Sequence, residues 1–282
     1  MTDIPTGKVP VVACVVASWK FLIDNWRQFL PAAAIIGFVS GIAPIVLSSG
    51  GGITVGGTYL LVLIGNLAGV FLTAAILRKS VRNEYLAPTG LAFGQDEARL
   101  LGVLGSGVLL MIPVVIVSLI VYTFVLIGSM HLTPEQMEAM AQDPAAMQKA
   151  MEDTLKTSAG VTIQFLALLG LIVLFVVYCR LSMINAATIG EKKIVFFQTW
   201  SWGKGNVLRI IAAILMTAFP AALISLLAAN LMGTLASLAP NVITVAISGI
   251  IASTIGAFAS IPPTVIGAEL YRGLKPPGFV AK

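Results

Sequence analysis

The chain reads as an all-α integral membrane protein. Six transmembrane helices form three hairpins with both termini in the cytoplasm, joined by cytoplasmic interfacial helices and one short helical outer loop. Three observations predict this. Of 282 residues, 58% are hydrophobic and only 10% are charged, where a soluble domain carries about 25% charged residues. The mean hydropathy is +0.98. Six runs, at 29–48, 57–77, 101–127, 160–180, 207–232 and 241–262, reach the roughly 20 apolar residues that a spanning helix needs. None holds an internal Asp, Glu, Lys, Arg or His, and Arg180 and Arg209 lie at run ends, where their heads can snorkel to water. The whole of 1–282 is therefore one polytopic membrane domain.

In chain order, the apolar stretch Val9 to Ala17 continues through Ser18, Trp19, Lys20, Phe21 and Leu22. Residues 1–28 are read as a cytoplasmic interfacial helix in preference to a signal-peptide core. Pro31 opens the first span, as suits a helix start. The glycine-rich 48–57 lacks the Gly-Lys-Ser/Thr ending of a phosphate loop and is a hairpin turn. Pro113 and Pro220 are expected to kink the third and fifth spans, and Pro262-Pro263 to end or break the sixth. The outer loop 128–159 is acidic. Within it, Thr133-Pro134-Glu135-Gln136 has the form of a capping box, and Asp143-Pro144 interrupts the pattern, so one or two short amphipathic helices are expected.

Orientation follows from the basic residues. Lys8, Lys20 and Arg27 precede the first span. Arg78, Lys79, Arg82 and Arg99 fall in 78–99, and Arg180, Lys192, Lys193, Lys204 and Arg209 in 180–209. Arg272, Lys275 and Lys282 follow the last span. Only Lys149 and Lys156 lie in the outer loop, so fifteen of the seventeen basic residues share one side. The positive-inside rule places that side in the cytoplasm. The net charge of +5 accordingly reflects orientation and contact with an anionic leaflet, with no nucleic-acid partner implied. Cys14 and Cys179 are the only cysteines, and both are expected to be buried, reduced thiols.

The stretch from Arg180 to Arg209 is the most conspicuous break between apolar runs. Its basic residues are interleaved with Phe196, Phe197, Trp200 and Trp202, the composition of a membrane interface. Gly203 and Gly205 are expected to end one helix and Asn206 to cap the next. Ser18-Trp19 with Asn25, and Thr199-Trp200 with Asn206, share the spacing of a remnant internal duplication or of chance similarity in an aromatic belt.

Chemistry is sparse. The chain holds one His, no His/Glu/Asp group at metal-ligand spacing, no Gly-x-Ser-x-Gly elbow and no carboxylate pair at membrane depth. An enzyme is not expected, nor a cofactor or metal. The outer-loop methionines with Met130 and His131 admit a Cu(I) reading, but a Met-rich packing face is the simpler one. Asn66, Gln164 and Asn230 lie at membrane depth. They either bond between helices, at about 1 kcal/mol each, or line a transport path. Gly65 with Gly69, Gly249 with Ser253 and Ala257, and Ala252 with Gly256 and Ser260 are small-xxx-small sets that allow close helix approach.

The segment Arg180-Leu181-Ser182, Glu191, Phe196-Phe197, Trp200 and Lys204-Gly205-Asn206 resembles, in order, the corresponding segment of a bacterial six-helix membrane family. That family includes the YciC-like proteins and the membrane domain attached to some glycerophosphodiester phosphodiesterases. Trp19 to Arg27 is similar to its first interfacial helix, and Ala268-Glu269-Leu270-Tyr271-Arg272 to its C-terminal end. The family often has Pro soon after Arg-Leu-Ser, where this chain has Asn185-Ala186. The catalytic His and acidic residues of the phosphodiesterase barrel have no counterpart here. The resemblance thus implies the membrane module without the enzyme.

The expected function is that of a non-catalytic protein of the bacterial inner membrane, acting in envelope lipid or membrane-protein homeostasis. Its contacts to anionic inner-leaflet lipid, to a membrane-protein partner or to a second copy of the chain would come from Trp19, Lys20, Arg27, Arg180, Lys192, Lys193, Trp200, Trp202, Lys204 and Arg209. The alternative is a transporter or pore for a lipid-like or small apolar molecule, lined by Asn66, Gln164 and Asn230.

Overall fold

The computed structural model describes residues 8–48, 55–86, 88–130, 144–239 and 241–277, and among them the only regular structure is helical. In order the helices are α1 (Val11–Ser48), α2 (Val55–Leu77), a π-helical turn (Arg78–Arg82), α3 (Gln95–Met130), α4 (Pro144–Leu155), α5 (Ser158–Leu181), α6 (Ile184–Glu191), α7 (Gln198–Trp202), α8 (Val207–Leu238), α9 (Val242–Ala259) and α10 (Ile261–Leu274). Among the described residues, five stretches are long and apolar enough to cross a membrane: Leu63–Arg82, Gln95–Ser129, Gly160–Glu191, Val207–Leu238 and Val242–Leu274. They match the second to sixth predicted runs. The first run, 29–48, lies inside α1, whose side chains beyond Gly41 are outside the described residues. The capping box at Thr133 and residues His131, Met137 and Met140 also lie outside them.

One predicted division is corrected. Residues 11–28 and the first span are not separate elements, because a single helix runs from Val11 through Pro31 to Ser48. The side chains flanking Pro31 explain why it does not begin a new helix. Phe29, Ala32 and Ala33 are fully buried and pack with Ile36, Leu72, Ile76, Ala257, Ile261 and Val265. Apolar packing on both sides of the proline holds the helix together across the missing N–H. The Trp19 and Trp200 segments share a short local feature, Ser18 and Thr199 each being buried and donating to the carbonyl three residues back at 2.8 Å, but they sit in different helical contexts. Trp19 lies in mid-helix, whereas Trp200 lies in the five-residue α7 before a turn. The double proline does break the last run, with α9 ending at Ala259 and α10 starting at Ile261.

The chain divides into two compact units, one of Leu104–Tyr178 and one of the residues on either side. In the larger unit α1 packs most extensively on α9, and also on α2, α8 and α10. The α1–α9 crossing is made backbone to backbone. A Cβ on Gly37 would lie 2.7 Å from Thr254 N, and one on Gly41 would lie 2.5 Å from Ile250 N. From the other side, a Cβ on Gly249 would lie 2.8 Å from Gly41 O. The predicted Gly249 stripe is therefore used. Its partner is the Gly37-xxx-Gly41 pair, which the sequence reading passed over. Gly69, by contrast, meets nothing within 4 Å.

The smaller unit holds most of α3 and α5, with α4 between them. Pro144 opens α4, and Thr157 precedes α5 with its hydroxyl accepting from Gly160 N at 3.2 Å. From Leu104 to Val125 every described side chain of α3 but that of Gly107 is largely exposed, as is most of α5 up to Val173. A surface of Leu, Val, Ile and Phe of this length suits an apolar medium. In water it would be an aggregation-prone patch. The helices therefore mark a multi-pass membrane protein.

The glycine crossing is testable by thermal unfolding in detergent. Gly41→Ala places a methyl against backbone and should destabilise by about 1–3 kcal/mol. Gly69→Ala meets open space and should be neutral or stabilising by up to about 1 kcal/mol. Equal stability of the two variants would contradict the crossing.

Candidate functional site

The charged residues converge where α2 ends and α3 begins. The chain leaves α2 through the π-helical turn, which stops at Asn83 in the left-handed region (φ 56°), its N–H bonding back to Arg78 O and Lys79 O. Arg78 and Arg82, four apart in this turn, both reach toward the start of α3. Arg78 pairs with Glu97, donates to Gly90 O at 2.9 Å and lies 3.9 Å from Asp96. Gly90 reaches that position at φ +76°, with the Tyr85 ring so close that a Cβ would lie 2.6 Å away. Arg82 holds Asp96 through both guanidinium ends, Glu84 at 2.8 Å and Ile189 O at 3.3 Å. Arg99 completes the set, 3.0 Å from Asp96 and 2.9 Å from Gln95.

Glu97 serves two purposes. One carboxylate oxygen binds Arg78, and the other accepts from Gly94 N at 3.0 Å, capping the first turn of α3. Glu97 is fully buried and Arg78 is 3% exposed. Desolvating such a pair is costly, and removing one partner strands the other charge. Asp96 and Glu97 also sit where the positive end of the α3 dipole favours carboxylates. The motif Gly94-Gln95-Asp96-Glu97 is a readable helix start, with acidic residues in the first turn and Glu at the third position. Sequence reasoning counted the arginines for topology and missed these partners.

A second cluster ties α6, α7 and α10. Glu191 accepts from Tyr271 Oη and from Lys275 Nζ. Tyr271 packs on Trp202 at 6.1 Å and lies so close to Gly190 that a Cβ there would be 2.6 Å from its hydroxyl. Arg180 stacks on Trp200 at 4.4 Å. Asn206 sits just before α8 as predicted, but its side chain does not cap the helix. Its Oδ1 accepts from Val9 N at 3.1 Å instead. That amide is buried and needs an acceptor, so the N-terminal segment is pinned to the start of α8.

These bonds bring the start of α1, the end of α2, the start of α3, the start of α8 and the end of α10 into one charged cap. Of the predicted contact residues, Lys20, Arg27, Lys192, Lys193, Lys204 and Arg209 are exposed, and Trp19 is half-buried. Arg27 lies over Trp26 at 5.4 Å. Trp200 is 38% exposed, whereas Trp202 is turned into the core by its contact with Tyr271 and offers little to lipid. Beside the lysines, Ile194, Phe197 and Leu208 are exposed apolar residues, Leu208 by 82%.

Two of the three proposed path residues make local bonds. Gln164 Nε2 donates to Leu155 O at 3.0 Å and Asn230 Nδ2 to Leu226 O at 2.8 Å, and both residues are exposed, as is Asn66. Cys14 and Cys179 are buried free thiols. Burial, and secondarily the Glu269 charge, push the Cys14 thiol up to about 11, which keeps it protonated and unreactive.

The cap encloses an open cleft of about 300 Å³ between the end of α2, the start of α3 and Lys192. Comparison with known protein families, with curated proteins and with solved structures finds no match.

The cap's central pair makes a sharp prediction. Glu97→Ala should cost about 3–5 kcal/mol in detergent unfolding, because it leaves Arg78 buried and unpaired. Adding Arg78→Met to Glu97→Ala should recover part of that loss, since the stranded charge is gone. Strict additivity of the two losses would show that the residues do not act as a pair.

Proposed function

We propose that the chain is a non-catalytic protein of the bacterial inner membrane that holds anionic lipid at its cytoplasmic face. In this reading six spans form three hairpins, the charged cap faces the cytoplasm, and both termini lie on that side. The reading keeps the resemblance to the YciC-like membrane module. It assigns the chain a part in envelope lipid or membrane-protein homeostasis.

The observation that supports it most is the arrangement around α7 and the start of α8. Lys193, Lys204 and Arg209 are exposed beside exposed Phe197, Trp200 and Leu208. Apolar and aromatic groups that enter the acyl boundary, next to cations that reach the headgroups, are how an interfacial segment engages an anionic leaflet. These three cations have no ion-pair partner among the described residues, unlike Arg78, Arg82 and Arg99. Each contributes about 1 kcal/mol of attraction near an anionic surface.

The test is the lipid shell retained on purification from mixed phosphatidylglycerol and phosphatidylethanolamine membranes. The triple variant Lys193→Gln, Lys204→Gln, Arg209→Gln should lose anionic enrichment, with preference falling about fivefold per residue. Unchanged enrichment would reduce this collar of exposed cations around α7 and the start of α8 to an orientation signal.

A further inference from the structure

We propose that the cleft at the junction of α2 and α3 is a discrete binding site for the phosphodiester of one phospholipid headgroup. This rests on the lipid-contact reading above and gives it a particular pocket, apart from the collar of α7 and α8.

Three observations lead to a phosphodiester. The first is charge. Arg78, Arg82, Arg99 and Lys192 line the cleft, opposed by Glu84, Asp96 and Glu97. The three carboxylates are all engaged by arginine, so one positive charge is left over. That charge is Lys192, whose ammonium is exposed and has no partner among the described residues. Its backbone is held in the left-handed region (φ 52°) at the end of α6, which fixes the side chain's origin at the cleft wall.

The second observation is a pair of unused donors. The Nε–H groups of Arg78 and Arg82, like that of Arg180 outside the cleft, are buried with no acceptor among the described residues, and the Arg78 side chain is only 4% exposed. A buried guanidinium N–H left unsatisfied costs about 1–3 kcal/mol, so these donors call for an acceptor that no described residue supplies. Phosphate oxygens accept several such charge-assisted bonds at once.

The third is the sign and size of the charge that fits. A monoanion balances the single excess cation. A dianion would face Glu84, Asp96 and Glu97 with one negative charge uncompensated. A phosphodiester carries one negative charge, whereas free phosphate and phosphomonoesters approach two near neutral pH. The cleft also lies at the ends of apolar helices, where headgroups are found.

The experiment is native mass spectrometry of the full chain in detergent, titrated with dihexanoyl-phosphatidylglycerol, with inorganic phosphate as the competing arm. One saturable lipid per chain is expected, not displaced by equimolar phosphate. Lys192→Gln, which breaks no bond within the chain, should weaken binding roughly tenfold, the loss of one charge-assisted contact. Glu84→Gln should tighten it by removing an opposing carboxylate. Lys193→Gln with Lys204→Gln should leave it unchanged. Equal displacement by phosphate, unaltered binding in Lys192→Gln, or weakening in Glu84→Gln overturns the assignment. If the collar triple variant loses anionic enrichment while Lys192→Gln binds normally, the cleft fails and the collar stands. The reverse pattern removes the collar and keeps the cleft.

Discussion

The pairing of Arg78 with Glu97 is the constraint on which the charged end of the molecule depends. It joins the last turn of one apolar helix to the first turn of the next, with both groups almost wholly out of water. Such a pair is tolerable only when its remaining lone pairs and protons are also satisfied. The surrounding residues largely do this: Gly90 O takes a second Arg78 donor, Gly94 N caps the second Glu97 oxygen, and Asp96 bridges Arg82 and Arg99. The exceptions are the two Nε donors, and they lie on residues that line the cleft.

The basic end consequently divides into two populations. Arg78, Arg82, Arg99 and Lys275 are internal struts, paired with carboxylates or backbone carbonyls. Lys192, Lys193, Lys204 and Arg209 are exposed and lack such partners among the described residues. Counting all of them toward one leaflet potential therefore overstates the lipid attraction. A strut near a carboxylate presents little net field, and only the second population acts outward at full strength.

Much of the fold was legible in the sequence, because a spanning helix is a statement about solvent. A run without charges cannot be placed elsewhere, and the runs from 57 to 262 coincide with observed helices to within a few residues, except at 101 and 232, where the helices extend further. Pro262-Pro263 acted through its missing N–H, a local effect, and broke the last run where expected. What was not legible depended on distant partners. Pro31 did not start a helix, because Phe29 and Ala33 are clamped by α2, α9 and α10. Asn206 did not cap α8, because Val9, 197 residues away, claims its oxygen. Trp202 turned inward because Tyr271 stands behind it. At the site, the exposed lysines followed from composition, whereas the pairing of Arg78 and Arg82 with the start of α3 required the π-helical turn and the left-handed Asn83, which no residue pattern announces.

The central claim is that the charged cap faces the cytoplasmic headgroups. The most direct measurement is accessibility of single introduced cysteines in intact cells to a membrane-impermeant maleimide. The native thiols are buried, and Cys14 is poorly ionised, so background labelling should be low. Cysteines replacing Lys193 or Lys204 should label only after permeabilisation, and one replacing Lys156 should label in cells whose inner membrane is intact. Labelling of positions 193 and 204 from outside, with 156 protected, would contradict the account.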